Sequence, residues 1–367
     1  MRFSVDDDTR ALLSEVDGVL ASAGDVGSRE LFGLLGARRL VAAHYPREYG
    51  GRGLTLAHHV SVSERLGLAG LPDEVHLVTV QGVGCSLLVS GQESQRRRWL
   101  PEIAAGRAFA SLLLTEAGAG SDLTAIESRA EADGDGYRVT GQKTWNLYAD
   151  WSSFGICSVR TRRGEDRYDG ISFLLIPFDA PGVSVEPVPR LLGEPYFTVT
   201  FDGVRVGQDA LIGPEHRGWP LLIQAIGFER AGFDYLSRAR RWLRTAEEVV
   251  SDVRGPDRLN LRAELLRHER AVANARALAF RAAGQAQRFE MDEVASAYSK
   301  YACGEAAQRL ARWMGLELGA AVRERGAERR AEALRRALAE APELSISGGA
   351  RELQLDLIAM DQNAGTG

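Results

Sequence analysis

Cysteine is scarce in this sequence, and its scarcity excludes two classes of small, cross-linked protein. The 367 residues contain three cysteines, Cys85, Cys157 and Cys303, which stand far apart. A disulfide framework and a zinc knuckle both need cysteines at short, repeated spacings. We therefore expect reduced thiols and a chain that is long enough to bury a sizeable hydrophobic core.

Long hydrophobic runs and a strong net charge are also absent. No window approaches the length of a membrane span, and residues 1–8 are acidic rather than basic and then apolar. The net charge is −5 and the isoelectric point is near 5.8. This balance gives no general attraction to nucleic acid or to an anionic membrane. The sequence therefore predicts a cytoplasmic protein without nucleic-acid or membrane partners.

The histidines and hydroxyls show no pattern of metal or hydrolytic chemistry. His58 and His59 are adjacent, which puts their rings on different faces of a helix, and the other four histidines are isolated. Neither a nucleophile elbow for Ser/His/Asp catalysis nor a phosphate-binding P-loop occurs. We predict no bound metal.

The most informative feature is a short apolar run that ends in a hydroxyl, a carboxylate and a glycine-rich turn. It reads Leu-Leu-Leu-Thr-Glu-Ala-Gly-Ala-Gly-Ser-Asp over residues 112–122, and a second segment, 141–145, ends in Trp145. The pattern predicts a strand that stops at a loop of exposed backbone N–H groups, beside a second strand that carries an aromatic plane. Such a surface suits a flat ring with a phosphate tail, because free N–H groups at a turn bind anions.

Three regions of different periodicity follow one another along the chain. Residues 1–107 have helical spacing, residues 108–213 alternate with a period near two, and residues 214–367 return to long helices. The expected strands are 128–132, 137–140, 154–159, 171–176 and 197–201, and the expected long helices are 220–253, 257–288 and 291–318. The Arg-rich residues 323–336 predict a solvated helix. We expect an α+β protein of three domains: helices, an antiparallel sheet, and a helical bundle.

The turn at residues 112–122 resembles the flavin-binding signature of the acyl-CoA dehydrogenase family, Thr-Glu-x-Gly-x-Gly-Ser-Asp. Other segments resemble further parts of that family in the same order, namely residues 45–51, 98–106, 179–185, 201–206 and 349–354. The resemblance implies an N-terminal helical domain, a middle antiparallel β-barrel-like domain and a C-terminal four-helix bundle. It implies FAD as the cofactor and an acyl thioester of CoA or of an acyl carrier protein as the substrate. It also implies an electron acceptor such as an electron-transfer flavoprotein, and a homodimer, a homotetramer or a heteromeric assembly.

The same resemblance assigns six residues to the cofactor: Leu112, Leu114, Thr115, Gly120, Ser121 and Trp145. Asn146 is a further candidate, as a substitute donor. Ser121 is also assigned to the thioester. The alternative for Thr115 and Trp145 is a strand-end hydroxyl and a core aromatic residue. We expect Glu116 and Asp122 to hold loops rather than to do chemistry.

The loop after Trp145 is shorter than the family's, and Leu147 or Tyr148 falls near the position of the hydroxyl that faces flavin N5. Asn146 is the substitute donor that the sequence offers. A changed donor at this position alters the redox poise of the flavin or its reactivity with oxygen.

The catalytic base also departs from the family's usual pattern. Desaturation needs a carboxylate that removes the proton next to the thioester carbonyl. Alignment of residues 349–354 with the family's C-terminal motif puts Gly348 at the usual base position, and glycine cannot be a base. Some branches of the family carry the carboxylate just before an arginine on the first helix of the C-terminal domain, where this chain has Glu229 and Arg230. We predict Glu229 as the base and Arg230 as a substrate-orienting residue, the alternative being a surface glutamate on a helix.

Arginines follow Glu229 along the predicted helix. Arg238, Arg241 and Arg244 recur at near-helical spacing. One interpretation is a solvated face balanced by Glu247 and Glu248. The other is a patch for the phosphates of CoA or for the phosphopantetheine and acidic helix of a carrier protein.

Three functions fit these residues. The predicted one is FAD-dependent dehydrogenation of an acyl thioester to its 2,3-enoyl product. The first alternative is a flavin-dependent monooxygenase on the same fold that acts on an amine or an amino sugar. The second is a non-catalytic subunit that completes a heteromeric acyl-CoA dehydrogenase.

Overall fold

The computed structural model describes residues 6–164, 166–189, 195–229, 231–255, 257–286, 292–319 and 328–364, and of residues 229, 363 and 364 only the backbone. The chain forms helices first, then a sheet, then helices again. The predicted order of element types is therefore confirmed. Residue 107 lies between the last N-terminal helix and the first strand, and residue 213 lies between the last strand and the next helix.

The N-terminal helices pack their apolar faces around one core, which extends to the inner side of the sheet. They are α1 (Asp7–Ser22), α2 (Ser28–Ala37), α3 (Leu56–Leu68), α4 (Asp73–His76), α5 (Gly84–Ser90) and α6 (Glu93–Ala104). A π-helical segment, Leu77–Val83, joins α4 to α5. Local capping starts two of these helices, because Asp6 accepts a hydrogen bond from the Thr9 N–H at 2.7 Å and Thr55 caps α3.

An eight-stranded sheet forms the middle of the molecule. Its strands are β1 (Ala110–Leu113), β2 (Arg129–Asp133), β3 (Gly136–Leu147), β4 (Phe154–Arg160), β5 (Ile171–Pro177), β6 (Val183–Pro187), β7 (Tyr196–Gly207) and β8 (Leu211–Ile212). The strands lie in the order β6-β7-β3-β2-β4-β5-β8, and β1 pairs with β4. Most pairs are antiparallel as predicted, but β1 and β2 both run parallel to β4. The strand predicted at 137–140 is much longer, because a register shift between Lys143 and Asn146 lets β3 continue past a bulge.

The C-terminal helices pack around a second core. They are α7 (Trp219–Glu229), α8 (Phe233–Asp252), α9 (Asp257–Gln285), α10 (Glu293–Trp313), α11 (Glu328–Glu340) and α12 (Arg351–Ala364). The prediction of one helix over 220–253 was wrong. Gly232 has a left-handed φ of 71°, and it separates α7 from α8. The helix predicted at 291–318 ends in a π-helical segment, Met314–Leu318.

The thiols of all three cysteines are free and buried. Within the described ranges, no helix is both long enough and apolar enough to cross a membrane. In the same part of the chain, no group of three or more His, Cys, Asp or Glu residues is placed to hold a metal ion.

Candidate functional site

The end of β1 and the bulge of β3 lie side by side, as predicted. The Thr144 N–H donates a hydrogen bond to the Thr115 carbonyl oxygen at 2.9 Å. This bond places Trp145 one residue away from the strand that leads into the glycine-rich turn. The predicted pairing of an aromatic plane with a turn of backbone N–H groups is therefore present.

Two carboxylates hold the turn in place. Glu116 accepts hydrogen bonds from the Glu127 N–H at 2.6 Å, the Ser128 N–H at 3.0 Å and Lys143 Nζ at 2.7 Å. Burial opposes ionisation of Glu116, but the charge of Lys143 and these hydrogen bonds outweigh it, so the pKa of Glu116 is lowered. Asp122 accepts from the Thr124 N–H at 3.0 Å. Both residues hold loops, as the sequence predicts, whereas the role of Lys143 was not predicted.

The turn and the tryptophan are open to solvent. A Cβ built on Gly118 or Gly120 would meet no atom within 4 Å, and Ser121 is exposed. Trp145 is 56% exposed, so it is not a core residue. Its φ of 61° lies in the left-handed region, and its ring meets the Tyr196 ring edge-on at 5.8 Å. Strained backbone of this kind concentrates at functional sites.

Three other candidates for contact with the cofactor point inward. Leu112 faces the position of Gly82 on the π-helical segment, and Leu114 belongs to the N-terminal core. The side chain of Leu114 is therefore buried, whereas that of Leu112 is half-buried. The Asn146 amide is buried and donates to the carbonyl oxygens of Lys143 at 3.0 Å and Phe197 at 3.2 Å. This side chain braces the bulge, so the structure does not offer it as a donor to a cofactor.

The predicted base lies at a buried joint between α7 and α8. Glu229 is the last residue of α7, its side chain lies outside the described part, and Arg230 lies wholly outside the described residues. Phe228 and Ala231 on either side are fully buried. Ser299 on α10 donates to the Ala231 carbonyl oxygen at 2.5 Å, which anchors the joint.

The loop that carries the family's usual base position is anchored by the same helix. Lys300, the next residue on α10, donates through Nζ to the carbonyl oxygens of Ser347 and Gly349. Gly348 and Gly349 both have left-handed φ values, of 60° and 95°. Consecutive residues of α10 therefore hold the Glu229 joint and the Gly348 loop, the two places where a carboxylate base was considered.

Arg238 contradicts the interpretation of a solvated arginine face. It is 1% exposed, and it forms ion pairs with Glu74 and Glu343. Asp234 Oδ2 lies 3.8 Å from Arg238 Nη2. The Tyr196 hydroxyl donates to Glu343 Oε2 at 3.0 Å, so this cluster joins α4, α8, the segment before α12 and strand β7. Glu74, Tyr196 and Glu343 had no role in the sequence-based predictions, since their partners are distant in the chain.

Burial divides the carboxyls of this cluster between two protonation states. Burial raises the pKa of Asp234 to about 7, although the charge of Arg238 offsets part of this rise. Burial and the neighbouring Glu74 raise the pKa of Asp73 well above its ordinary range. Burial also opposes ionisation of Glu74, but Arg238 outweighs it and lowers the pKa. The ion pair is thus formed by Glu74 and Arg238, while Asp73 holds its proton.

Three histidines that are far apart in the sequence meet in the N-terminal core. The ring centroids of His44 and His59 are 4.1 Å apart, and those of His59 and His76 are 4.8 Å apart. Burial lowers the pKa of His44 to about 3 and that of His76 to about 4, and it lowers the pKa of His59 far below its ordinary range. All three rings are therefore neutral near pH 7.

Comparison with known protein families decides the classification. The model of the acyl-CoA dehydrogenase N-terminal domain matches residues 9–107, that of the middle domain matches 111–204, and that of the C-terminal domain matches 216–362. The chain belongs to the acyl-CoA dehydrogenase family. The resemblance seen in the sequence is thereby confirmed.

Individual relatives agree with this family. Acyl-CoA dehydrogenase IpdE1 of Mycobacterium tuberculosis is 36% identical over 197 residues, which are 53% of this chain and 51% of that protein. A chain of the ChsE4-ChsE5 complex from Mycobacterium tuberculosis has a TM-score of 0.86 at 26% identity, with 98% of both chains covered. Butyryl-CoA dehydrogenase from Megasphaera elsdenii shares the fold, with a TM-score of 0.86 at 20% identity over 99% of this chain and 100% of that one. The chain spans 51–62% of the length of the first curated relatives that it matches.

FAD is the cofactor of this family, whose members are flavoprotein oxidoreductases. The residues present fit a flavin. Gly118 and Gly120 leave open space at the turn, and Trp145 presents a ring beside it. Thr115 and Ser121 offer hydroxyls, and the backbone of the turn offers N–H groups to a phosphate.

Proposed function

We propose that this protein catalyses FAD-dependent dehydrogenation of an acyl thioester to the 2,3-enoyl product. The observation that carries the proposal is the hydrogen bond from Thr144 to Thr115, which sets the exposed Trp145 against the open turn. Membership of the acyl-CoA dehydrogenase family supports the reaction type. The open turn would bind the phosphates of the cofactor, and Trp145 would cover one side of its ring.

We propose Glu229 as the base for the proton next to the thioester carbonyl. FAD, when bound, accepts the hydride that leaves the adjacent carbon. The buried neighbours Phe228 and Ala231 support this role, because a carboxylate among apolar side chains is a stronger base than a hydrated one. Arg230 is proposed to orient the thioester.

The substrate carrier and the electron acceptor belong to the same proposal. The thioester is carried by CoA or by an acyl carrier protein, and an external acceptor such as an electron-transfer flavoprotein reoxidises the cofactor. The protein acts in the cytoplasm as an oligomer that assembles through its C-terminal helices.

Replacement of the base gives the direct test. Glu229→Gln keeps the volume of the side chain and removes its basicity, so we expect FAD content and thioester binding to be retained. Flavin bleaching by acyl-CoA under anaerobic conditions should slow at least about 100-fold, the scale of a lost general base. Stopped-flow absorbance of the flavin measures this rate.

Glu247→Gln is the matched control, since Glu247 is exposed on the next helix, α8. It should reduce its flavin at the wild-type rate. Unchanged reduction in Glu229→Gln would remove Glu229 from the mechanism. In the Glu229→Gln protein, the further change Gly348→Glu places a carboxylate at the family's usual base position and should restore part of the rate. The left-handed φ at Gly348 costs a side chain there about 1–2 kcal/mol.

A non-catalytic subunit of a heteromeric dehydrogenase is the second candidate. The observation that favours it is the link from Tyr196 through Glu343 to Arg238, which joins β7, the segment before α12 and α8 beside Trp145. One similar structure is a complex of two different proteins, ChsE4 and ChsE5. A purified chain that takes up no FAD on reconstitution, and gains it only with a second chain, would replace the first proposal by this one.

A further inference from the structure

A wide cleft lies between the end of α3, α8, α11 and the segment after β3. Its volume is about 890 Å³. Arginines project into it from two helices: Arg241 and Arg244 from α8, and Arg329, Arg330 and Arg336 from α11. We name this feature, with Asp73, Tyr148 and Trp151, the arginine cleft.

The arginines of the cleft, which Asp73, Glu74, Glu248 and Glu340 also line, differ in their ion pairs. Arg330 forms ion pairs with Asp252 at 2.5 Å and with Glu248 at 3.8 Å, and Arg336 lies 4.0 Å from Glu340. Arg244 and Arg329 are exposed and form no ion pair with any residue of the described part. Free guanidinium groups from two separate helices that line one cavity are a suitable site for a diphosphate, because each offers several N–H donors in a planar array.

An aromatic wall stands beside these charges. The rings of Tyr148 and Trp151 contact each other with centroids 5.6 Å apart, and both residues line the cleft. The Arg29 guanidinium lies 4.7 Å from the centre of the Trp151 ring, which holds this ring in position. Aromatic walls of this kind bind the flat base of a nucleotide.

The floor of the cleft carries a carboxyl group without a hydrogen-bond donor. Asp73 is 4% exposed and lines the cleft, and neither of its oxygens accepts a hydrogen bond within the described ranges. The nearest cation is Arg241, whose Nη2 lies 4.0 Å from Asp73 Oδ1, and Arg241 already donates to the Gly67 carbonyl oxygen at 3.0 Å. The protonated Asp73 carboxyl shares a hydrogen bond with Glu74, and its other oxygen is left to accept from a hydroxyl or amine of a ligand.

We propose that the arginine cleft binds a nucleoside diphosphate, with the diphosphate on Arg244 and Arg329, the base against Tyr148 and Trp151, and a polar group of the nucleoside on Asp73. The volume of the cleft lies within the range of about 300–1,000 Å³ that is typical of small-molecule sites. The inference rests on the cleft alone and does not depend on the proposed dehydrogenation. The ligand is either a free nucleotide or the nucleotide end of a larger molecule such as CoA.

Calorimetric titration of the purified protein with ADP tests the site. Arg244→Gln and Arg329→Gln should each weaken ADP binding about tenfold, the effect of one lost charge-assisted contact. Arg258→Gln, at an exposed arginine on α9 outside the cleft, should leave the affinity unchanged. A rise in salt should weaken binding to the wild-type protein and to Arg258→Gln more than to the two cleft variants. No binding of ADP, or equal binding by all variants, overturns the proposal.

Three further ligands distinguish the parts of the site and the source of the nucleotide. Pyrophosphate and adenosine should each bind more weakly than ADP, and pyrophosphate as tight as ADP would overturn the role of the aromatic wall. If CoA displaces ADP, the cleft takes the nucleotide of the thioester, and if it does not, the cleft takes a free nucleotide. Anaerobic flavin reduction measured on the same samples separates a failure of this site from a failure of the proposed reaction.

Discussion

At the scale of single residues, the candidate flavin turn depends on one buried ion pair. Lys143 is completely buried, and its Nζ donates to Glu116, to the Leu114 carbonyl oxygen at 3.0 Å and to Ser158 at 3.3 Å. A buried charge costs much free energy unless its hydrogen bonds are satisfied. Here two of the bonds lead to the strand end and the turn, and the third leads to Ser158 on β4. The pair therefore fixes the position of the turn relative to β3.

Removal of Lys143 should be costly, and simultaneous removal of its partner less so. Lys143→Met leaves the Glu116 carboxylate buried without its cation, so the free energy of unfolding should fall by about 3 kcal/mol. The double variant Lys143→Met/Glu116→Gln should regain at least half of the loss, because no buried charge remains. Urea unfolding followed by circular dichroism measures both values.

Arg129→Met provides the surface control for this pair. Arg129 and Glu131 form an exposed pair at 3.2 Å, which should contribute no more than about 0.5 kcal/mol. Equal losses for Lys143→Met and Arg129→Met would show that the buried pair does not stabilise the turn.

At the scale of elements, the joint between α7 and α8 depends on a glycine. Gly232 has a φ of 71°, and a Cβ at this position would lie 3.1 Å from the Lys300 Cα and 3.3 Å from the Cys303 Cβ. The first contact is with backbone of α10, which cannot move aside cheaply. The close approach of α10 brings Ser299 and Lys300 to the joint and to the Gly348 loop, so this glycine positions the predicted base.

Gly232→Ala should therefore destabilise the protein. The left-handed conformation alone costs an alanine about 1–2 kcal/mol, and the contact with α10 adds to it. The melting temperature should fall, and the flavin reduction rate should fall with it, because the Glu229 joint shifts.

Gly33→Ala is the matched control on α2. A Cβ at Gly33 meets no atom within 4 Å, and its backbone is helical. Stability should rise by about 0.5–1 kcal/mol, since alanine favours the helix over glycine. A Gly232→Ala protein as stable as wild type would contradict the account of the joint.

At the scale of the whole molecule, two kinds of buried titratable group change the stability of the fold in opposite directions as the pH rises. The buried histidines are neutral in the folded protein, whereas the unfolded chain binds protons below pH 6.5. Their contribution to stability is therefore complete above pH 6.5 and is lost as the pH falls below it. Asp234 keeps its proton in the folded protein up to about pH 7, but the unfolded chain releases it above 3.8. Its contribution is lost as the pH rises from 3.8 to 7.

Two variants separate these contributions. Relative to wild type, His59→Leu should gain about 2 kcal/mol in the free energy of unfolding when the pH is lowered from 7 to 5, because one protonation of the unfolded state is removed. Asp234→Asn should gain about 2–3 kcal/mol when the pH is raised from 5 to 7. Denaturant titrations at both pH values measure the differences. Shifts of the same sign in the two variants would disprove this assignment.

The sequence by itself determined the order of element types, the family and the position of the flavin turn. These features depend on local patterns: hydrophobic periodicity within each segment, and a run of small and polar residues that can only form an exposed turn. The capping role of Asp122 likewise concerns a partner two residues away in the same loop.

Only the tertiary structure decided which charged residues are buried and where cavities lie. Arg238 and Glu343 are 105 residues apart, and Tyr196 and Glu343 are 147 residues apart, so no spacing in the sequence relates them. The same arginine pattern on α8 supplies the buried Arg238 and the exposed Arg244. One turn of the helix faces Glu74 and Glu343, and another faces the arginine cleft. The three histidines likewise meet only because α3, α4 and the loop before α3 pack into one core. Long-range packing assigns each charge its environment, and local periodicity does not contain that information.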